Sequence, residues 1–446
     1  MRRKEIREES MMKVASRQAG LALLIFIFII AFIATGYFLS SLDPVEARNE
    51  RNKKTAEALM EAKTALLAYA ASQNLSPGTC TTNCPRPGDL PCPDMNNDGD
   101  AENACGSSGG TTGQALRLGR LPWRTLGLSD LRDGDGERLW YAVSSRYKNN
   151  SRYRPLNSET VATITLRDSS GNVLFNGVNN GLAAVLIAPG PVLVREDGIS
   201  QLRDVANQNV VSNYLDKALG EDNQNFIDSN VNGFITGPIK DINGTVIVND
   251  QILTITRDEM NQSIEKRVIA EVKNALVSFY YGPGVSTYPR PANFIDTTCL
   301  GNSTIISPNC GESGALTQGR IPANPATPWG ATSILRGTSS NNWFQLNSWR
   351  EVIYYAVSPL CVTGTVSCPA GGDLTLNNAL VAPTNNKQFI IIAAGKRIGT
   401  QVRSTSVDKS NENNYLEGEN LSPLDDVYTR AMPLTTTFND QVISVP

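Results

Sequence analysis

Arg138-Leu139-Trp140-Tyr141-Ala142-Val143-Ser144 (RLWYAVS) returns later in the chain as Val352-Ile353-Tyr354-Tyr355-Ala356-Val357-Ser358 (VIYYAVS). A short apolar run rich in aromatic and β-branched residues reads as a buried strand. Its second appearance matters more than its propensity, because the surroundings repeat too. Upstream, Gly119-Arg120-Leu121-Pro122-Trp123 answers Gly319-Arg320-Ile321-Pro322, with Trp329 a little further on. Cys92…Cys105-Gly106 answers Cys299…Cys310-Gly311, and Pro85-Arg86-Pro87 answers Pro289-Arg290-Pro291. Downstream, Leu182–Ala188 (LAAVLIA) answers Phe389–Ala394 (FIIIAA). Asn213-Tyr214-Leu215 answers Asn414-Tyr415-Leu416, and Asn249-Asp250-Gln251-Ile252 answers Asn439-Asp440-Gln441-Val442. Matches that keep one order identify a tandem duplication.

Each copy opens on a helical period. Leu59, Ala62, Leu66, Leu67 and Ala70 predict a helix over about 50–72, and Ile264, Val268, Ile269, Val272, Leu276 and Phe279 predict one over about 258–281. The second starts on acidic residues and stops at Gly282-Pro283. A cysteine-bearing loop and short β runs follow, near Leu139–Ser144, Ala162–Leu166, Leu182–Ala188 and Thr245–Thr256. The expected fold class is α+β, an antiparallel sheet packed on a helix and built twice, over residues 43–257 and 258–446. A length of 446 residues is sufficient for two such cores. The polar stretches Gly337–Asn342 and Lys409–Asn420 read as surface loops.

Ahead of the repeats, Leu21–Leu42 (LALLIFIFIIAFIATGYFLSSL) carries no charge and is long enough to cross a bilayer as a transmembrane helix. Arg2, Arg3, Lys4, Arg7, Lys13 and Arg17 precede it and Asp43 follows, a bias that puts the N-terminus in the cytoplasm and the rest outside. A cleaved secretory signal is the rival reading. It is disfavoured by the length of the run and by the lack of a small-x-small cleavage site. Pro44 either softens this helix or starts a new one.

Composition narrows the chemistry. There is no histidine, which removes Ser–His and Cys–His catalysis and His-ligated zinc. A net charge of −3 without a basic stripe argues against nucleic acid as a partner. The 8 cysteines all follow the apolar stretch, and an oxidising compartment would pair them. Taken as nearest neighbours, the disulfides are Cys80–Cys84, Cys92–Cys105, Cys299–Cys310 and Cys361–Cys368. Asp94, Asn96, Asp98 and Asp100, with Gly99 at the turn and Glu102 beyond, match the first half of a calcium loop. The acidic twelfth position is missing, because Cys105 stands there. A solvated turn closed by Cys92–Cys105 is the alternative; residues 300–311 offer no counterpart, so no cofactor is required and calcium is the one candidate. Asp133-Gly134-Asp135-Gly136-Glu137 could supply paired carboxylates for a hydrolase, although Gly-Asp tracts are ordinarily turns, and no enzyme activity is expected. Trp123 and Trp140 read as core anchors, whereas Trp343 and Trp349 sit in polar sequence and are candidates for contact with a partner.

The leader ending in Gly20, the apolar run from Leu21 and its amphipathic continuation resemble the type IV pilin and type II secretion pseudopilin superfamily. The head segments 90–106 (LPCPDMNNDGDAENACG), 119–128 (GRLPWRTLGL) and 137–144 (ERLWYAVS) resemble a subgroup of large pilin-like proteins. The resemblance implies cleavage of the 1–20 leader between Gly20 and Leu21 by a prepilin peptidase, with Met1, Met11 or Met12 as the start. It implies a minor subunit that meets other pilin-like subunits and a pilus or secretion assembly machinery. Its place would be a bacterial inner membrane, single-pass with periplasmic heads, or the cell surface in a filament. Ile25 departs from the pattern, since the family usually places there a glutamate that pairs with a neighbouring subunit. A membrane-tethered binding protein or adhesin that is never polymerised is the alternative.

Overall fold

Thr256 closes one strand and opens the next helix, so one repeat runs into the other without a linker. The computed structural model describes residues 27–33, 44–73, 85–106, 114–150, 152–153, 155–283, 286–300, 309–336, 342–365, 367–378, 381–421, 426–431 and 433–445. Helix α1 spans Pro44–Ala71. Proline is its first residue, where a missing N–H costs nothing. Helix α2 spans Arg257–Tyr281. The Thr256 hydroxyl accepts the Glu259 N–H, and the Glu259 carboxylate accepts the Thr256 N–H in return. This reciprocal cap fixes where the strand ends and the helix begins.

Two four-stranded antiparallel sheets share one strand order. The first holds β1 (Leu118–Arg120), β2 (Trp140–Val143), β3 (Leu182–Ala188) and β4 (Gln251–Thr256), in that order. The second holds β5 (Gln318–Arg320), β6 (Ile353–Val357), β7 (Phe389–Ala393) and β8 (Gln441–Val445). Registers correspond as well. Arg120 faces Trp140, Trp140 faces Ile187 and Ile187 faces Ile252. Arg320 faces Tyr354, Tyr354 faces Ile392 and Ile392 faces Val442. Side chains alternate between faces along a strand, so this register sends matching residues to matching faces.

Both faces of the first sheet are buried, which is why LAAVLIA has no polar alternation. Tyr141, Val143, Ala184 and Leu186 join a core with Ala58, Leu59, Ala62, Leu66 and Ala70 of α1. Trp140, Ala142, Val185 and Ile187 pack instead on Ile164, Leu166, Tyr214, Phe226 and Phe234. Helix α2 contacts β3 and β4 of the first sheet and β7 and β8 of the second. Residues 58–446 accordingly form one compact unit around a shared core. The predicted β run at Thr245–Thr256 resolves into two strands. Val246–Val248 pairs with Ile239–Lys240, and Gln251–Thr256 joins the main sheet.

The expected transmembrane helix at 21–42, and with it the single-pass inner-membrane placement, is overturned. Among the described residues no helix is long and apolar enough to cross a membrane. Within that stretch the described residues are 27–33, which are helical. Helix α1 is long but carries Glu46, Arg48, Glu50, Arg51, Lys53, Lys54 and Glu57 near its start, a charge density that a bilayer core does not admit. The rest of 21–42, the leader 1–20, the Gly20–Leu21 junction and Ile25 lie outside the described residues.

Candidate functional site

The calcium-like loop satisfies itself. Asp94 is buried, and its carboxylate accepts backbone N–H groups of Asn96 at 3.1 Å, Asn97 at 2.6 Å and Gly99 at 2.7 Å. Asn96 accepts the Asp98 N–H, Asp98 accepts the Asp100 N–H, and Glu102 accepts the Met95 N–H. The bonds from Asp94 to Asn96, Asn96 to Asp98 and Asp98 to Asp100 are successive Asx turns, each side chain mimicking a backbone turn. Gly99 sits at φ +93°, and a Cβ there would stand 2.6 Å from the Trp123 indole. The glycine thus serves the packing of Trp123 over the loop. Among the described residues no group of three acidic or cysteine side chains could hold a metal ion. Asp133 is likewise a turn residue, accepting N–H groups from Asp135, Glu137 and Gly190. Burial pushes its carboxyl above the usual range.

Disulfides join Cys92 to Cys105, Cys299 to Cys310 and Cys361 to Cys368; Cys80 and Cys84 lie outside the described residues. Trp343 and Trp349, expected near a partner, are buried. They belong to the short helices Trp343–Leu346 and Trp349–Val352, and Asn342 caps the first by accepting the Phe344 N–H.

Sequence reasoning missed a buried polar cluster that occurs twice. In the first copy the Asp250 carboxylate accepts the Asp216 N–H at 2.8 Å and the Asn223 amide at 2.7 Å. The Asp216 carboxylate accepts the N–H groups of Asn249 and Asp250 and the Gln201 amide. In the second copy Asp440 accepts the Glu417 N–H and the Asn420 amide, each at 3.1 Å. Glu417 accepts the N–H groups of Asn439 and Asp440 and the Gln401 amide. Burial pushes Asp216 up to about 6, and burial beside a second carboxyl pushes Asp250 and Asp440 well above the carboxylate range. Each cluster clamps the entry to the last strand of its sheet. Its signal was present: a carboxylate follows Asn-Tyr-Leu in both copies, and Gln201-Leu202-Arg203 matches Gln401-Val402-Arg403.

The same loops build an arginine–aromatic corner. The Arg120 guanidinium lies 4.2 Å from the Trp140 ring centre and 4.0 Å from that of Tyr214. It donates to the carbonyls of Arg138 and Gln208. Burial lowers its pKa to about 10. Arg203 donates to the carbonyls of Asn213 and Gly190 and stands 4.9 Å from Tyr214. In the second copy Arg320 stacks on Phe294 at 4.1 Å and reaches Tyr415 at 5.2 Å, donating to the Lys409 carbonyl. Arg403 donates to the carbonyls of Asn414 and Gly395 and stands 4.2 Å from Tyr415. Stacked, desolvated guanidinium groups of this kind are built to receive anions or aromatic faces.

The two corners differ in what faces them. Around the first, Arg120, Arg132, Arg138 and Arg203 line a cleft of about 430 Å³ that opens to solvent. At the second, Glu159 of the first repeat reaches Arg403 at 2.7 Å and Arg397 at 2.9 Å. No protein-family model, curated protein or solved structure matches the chain.

Proposed function

We propose that the chain is a large minor pilin or pseudopilin-like structural protein. It assembles through its N-terminal helical segment with other pilin-like subunits and presents a tandem head at or near a filament tip, for assembly priming, adhesion or secretion. The observation that carries this reading is the plan repeated behind one apolar stretch: a long helix, a disulfide-closed loop and a four-stranded antiparallel sheet of fixed order, twice over. The apolar stretch adds support. Ile27, Phe28, Ile29, Ile30, Phe32 and Ile33 are each at least half exposed, and helical side chains of that kind need an apolar partner to cover them. The Gly20-Leu21 junction behind a basic leader supports processing by a prepilin peptidase. Ile25, in place of the pairing glutamate, suits a subunit with no further subunit above it.

Deletion of the gene tests the reading. Loss of pili or of a secreted cargo, restored by the full-length gene, is the expected result. Unchanged piliation and secretion would sink the proposal.

A further inference from the structure

The second arginine corner holds a carboxylate and the first faces an open cleft, although the two are built alike. Arg203 and Arg403 make the same anchoring bonds, to Asn213 and Gly190 in one copy and to Asn414 and Gly395 in the other. Both also donate to a glutamine side-chain oxygen, of Gln201 or Gln401. What Arg403 adds is the Glu159 carboxylate, presented on the turn Asn157–Thr160 of the preceding repeat. Among the described residues Arg203 pairs with Glu137 alone, at 3.5 Å and partly exposed.

The remaining charges leave the first cleft cationic. Arg132 and Arg138 pair with Asp130, and Glu137 and Asp204 are the two carboxylates among the lining residues, against four arginines. Arg120 bonds carbonyls and stacks on rings, and among the described residues its buried Nε has no hydrogen-bond partner. The segment that supplies Arg203, Asp204 and Gln208 also exposes Leu202, Val205 and Val210. Exposed apolar side chains beside a cationic cleft favour a protein surface over a small solute.

We propose that the Arg120–Arg203 cleft receives the carboxylate of a glutamate or aspartate carried on a turn of another protein subunit. Glu159 on Arg403 is the instance already present within the chain. The inference stands on the two corners alone and does not depend on the pilin reading.

The test uses the full-length chain with ¹⁵N-labelled arginine and follows its Nε–Hε signals. The probe is the capped peptide Leu-Asn-Ser-Glu-Thr-Val, copied from residues 156–161, against the same peptide with glutamine for glutamate. The glutamate peptide is expected to shift the Arg120 and Arg203 signals saturably, with Kd on the order of 1–10 mM, and the glutamine peptide to leave them in place. Glu137→Gln, which removes the internal competitor and no anchoring bond, should tighten binding by about threefold. Arg132→Gln, at an exposed lining position, should weaken it. Equal response to both peptides, shifts that track ionic strength alone, or binding of citrate with no response to the glutamate peptide would each overturn the proposal. The last outcome would identify a free carboxylate as the ligand.

Discussion

Asp216 and Asp250 bind each other's backbone: the Asp250 carboxylate accepts the Asp216 N–H at 2.8 Å, and the Asp216 carboxylate accepts the Asp250 N–H at 3.2 Å. Glu417 and Asp440 repeat the exchange in the second copy. Buried carboxyls so close together cannot all ionise without cost, and the native state retains protons that the unfolded chain has lost.

The first prediction concerns pH. Asp216 is raised to about 6 and Glu265, buried on α2, to about 7, both chiefly by burial. Between pH of about 4 and about 7 the folded chain therefore binds more protons than the unfolded one. Stability must fall as pH rises through that window. Thermal melts at pH 4.5, 6 and 7.5 should show a descending Tm. Asp250→Asn and Asp440→Asn, which keep the acceptor and remove the charge, should flatten the descent. A Tm that rises across the same range would refute this account of the clusters.

A second prediction separates the two arginine corners. Arg403 is fully buried and leans on Glu159, so Glu159→Gln leaves a desolvated cation without its carboxylate. We expect a loss of about 2 kcal/mol, below the full value for a buried pair because Glu159 is partly exposed. Glu137→Gln, at the open corner, should change stability by under about 0.5 kcal/mol. Urea unfolding of both variants gives the comparison, and equal losses would show that the corners are energetically alike.

Gly99→Ala supplies a third. The added methyl would overlap the Trp123 ring at a positive φ, so strain and repacking should together cost about 2–4 kcal/mol. Calcium at millimolar concentration should not rescue it, because Asp94 already takes its donors from the backbone. A calcium-dependent rise in Tm, in the variant or the parent, would show that the loop binds the ion after all.

A fourth concerns the Cys299–Cys310 loop, which has a sequence separation of 11. Replacing both cysteines by serine should lower stability by about 3 kcal/mol through the entropy released in the unfolded chain. A change under 1 kcal/mol would mean that the loop is held by its other contacts.

Local pattern made the strands of the main sheets and the two long helices legible. By contrast, the run read at Ala162–Leu166 is strand only at Leu166–Arg167, and Lys409–Asn420, read as a surface loop, buries Tyr415, Leu416, Glu417 and Asn420. Leu182–Ala188 and the helix ending at Tyr281 coincide with their predicted bounds because apolar runs and a Gly-Pro stop are local signals. The polar clusters escaped because their partners lie far apart in sequence, as Asp216 does from Asp250. The substitution of Glu417 for an aspartate also hid the match. Trp343 and Trp349 misled for a related reason. Their polar neighbours turn out to be buried partners, among them Arg350, which donates to the Gln345 side chain and to the carbonyls of Ile321 and Leu335. Hydropathy counts charge without seeing such pairing.

The most direct test of the pilin-like reading is the N-terminus of the mature protein, read by sequencing or intact mass from cells that contain a prepilin peptidase. The account predicts a chain that begins at Leu21 with an N-methylated amine. A chain that still begins at Met1, Met11 or Met12 would contradict it.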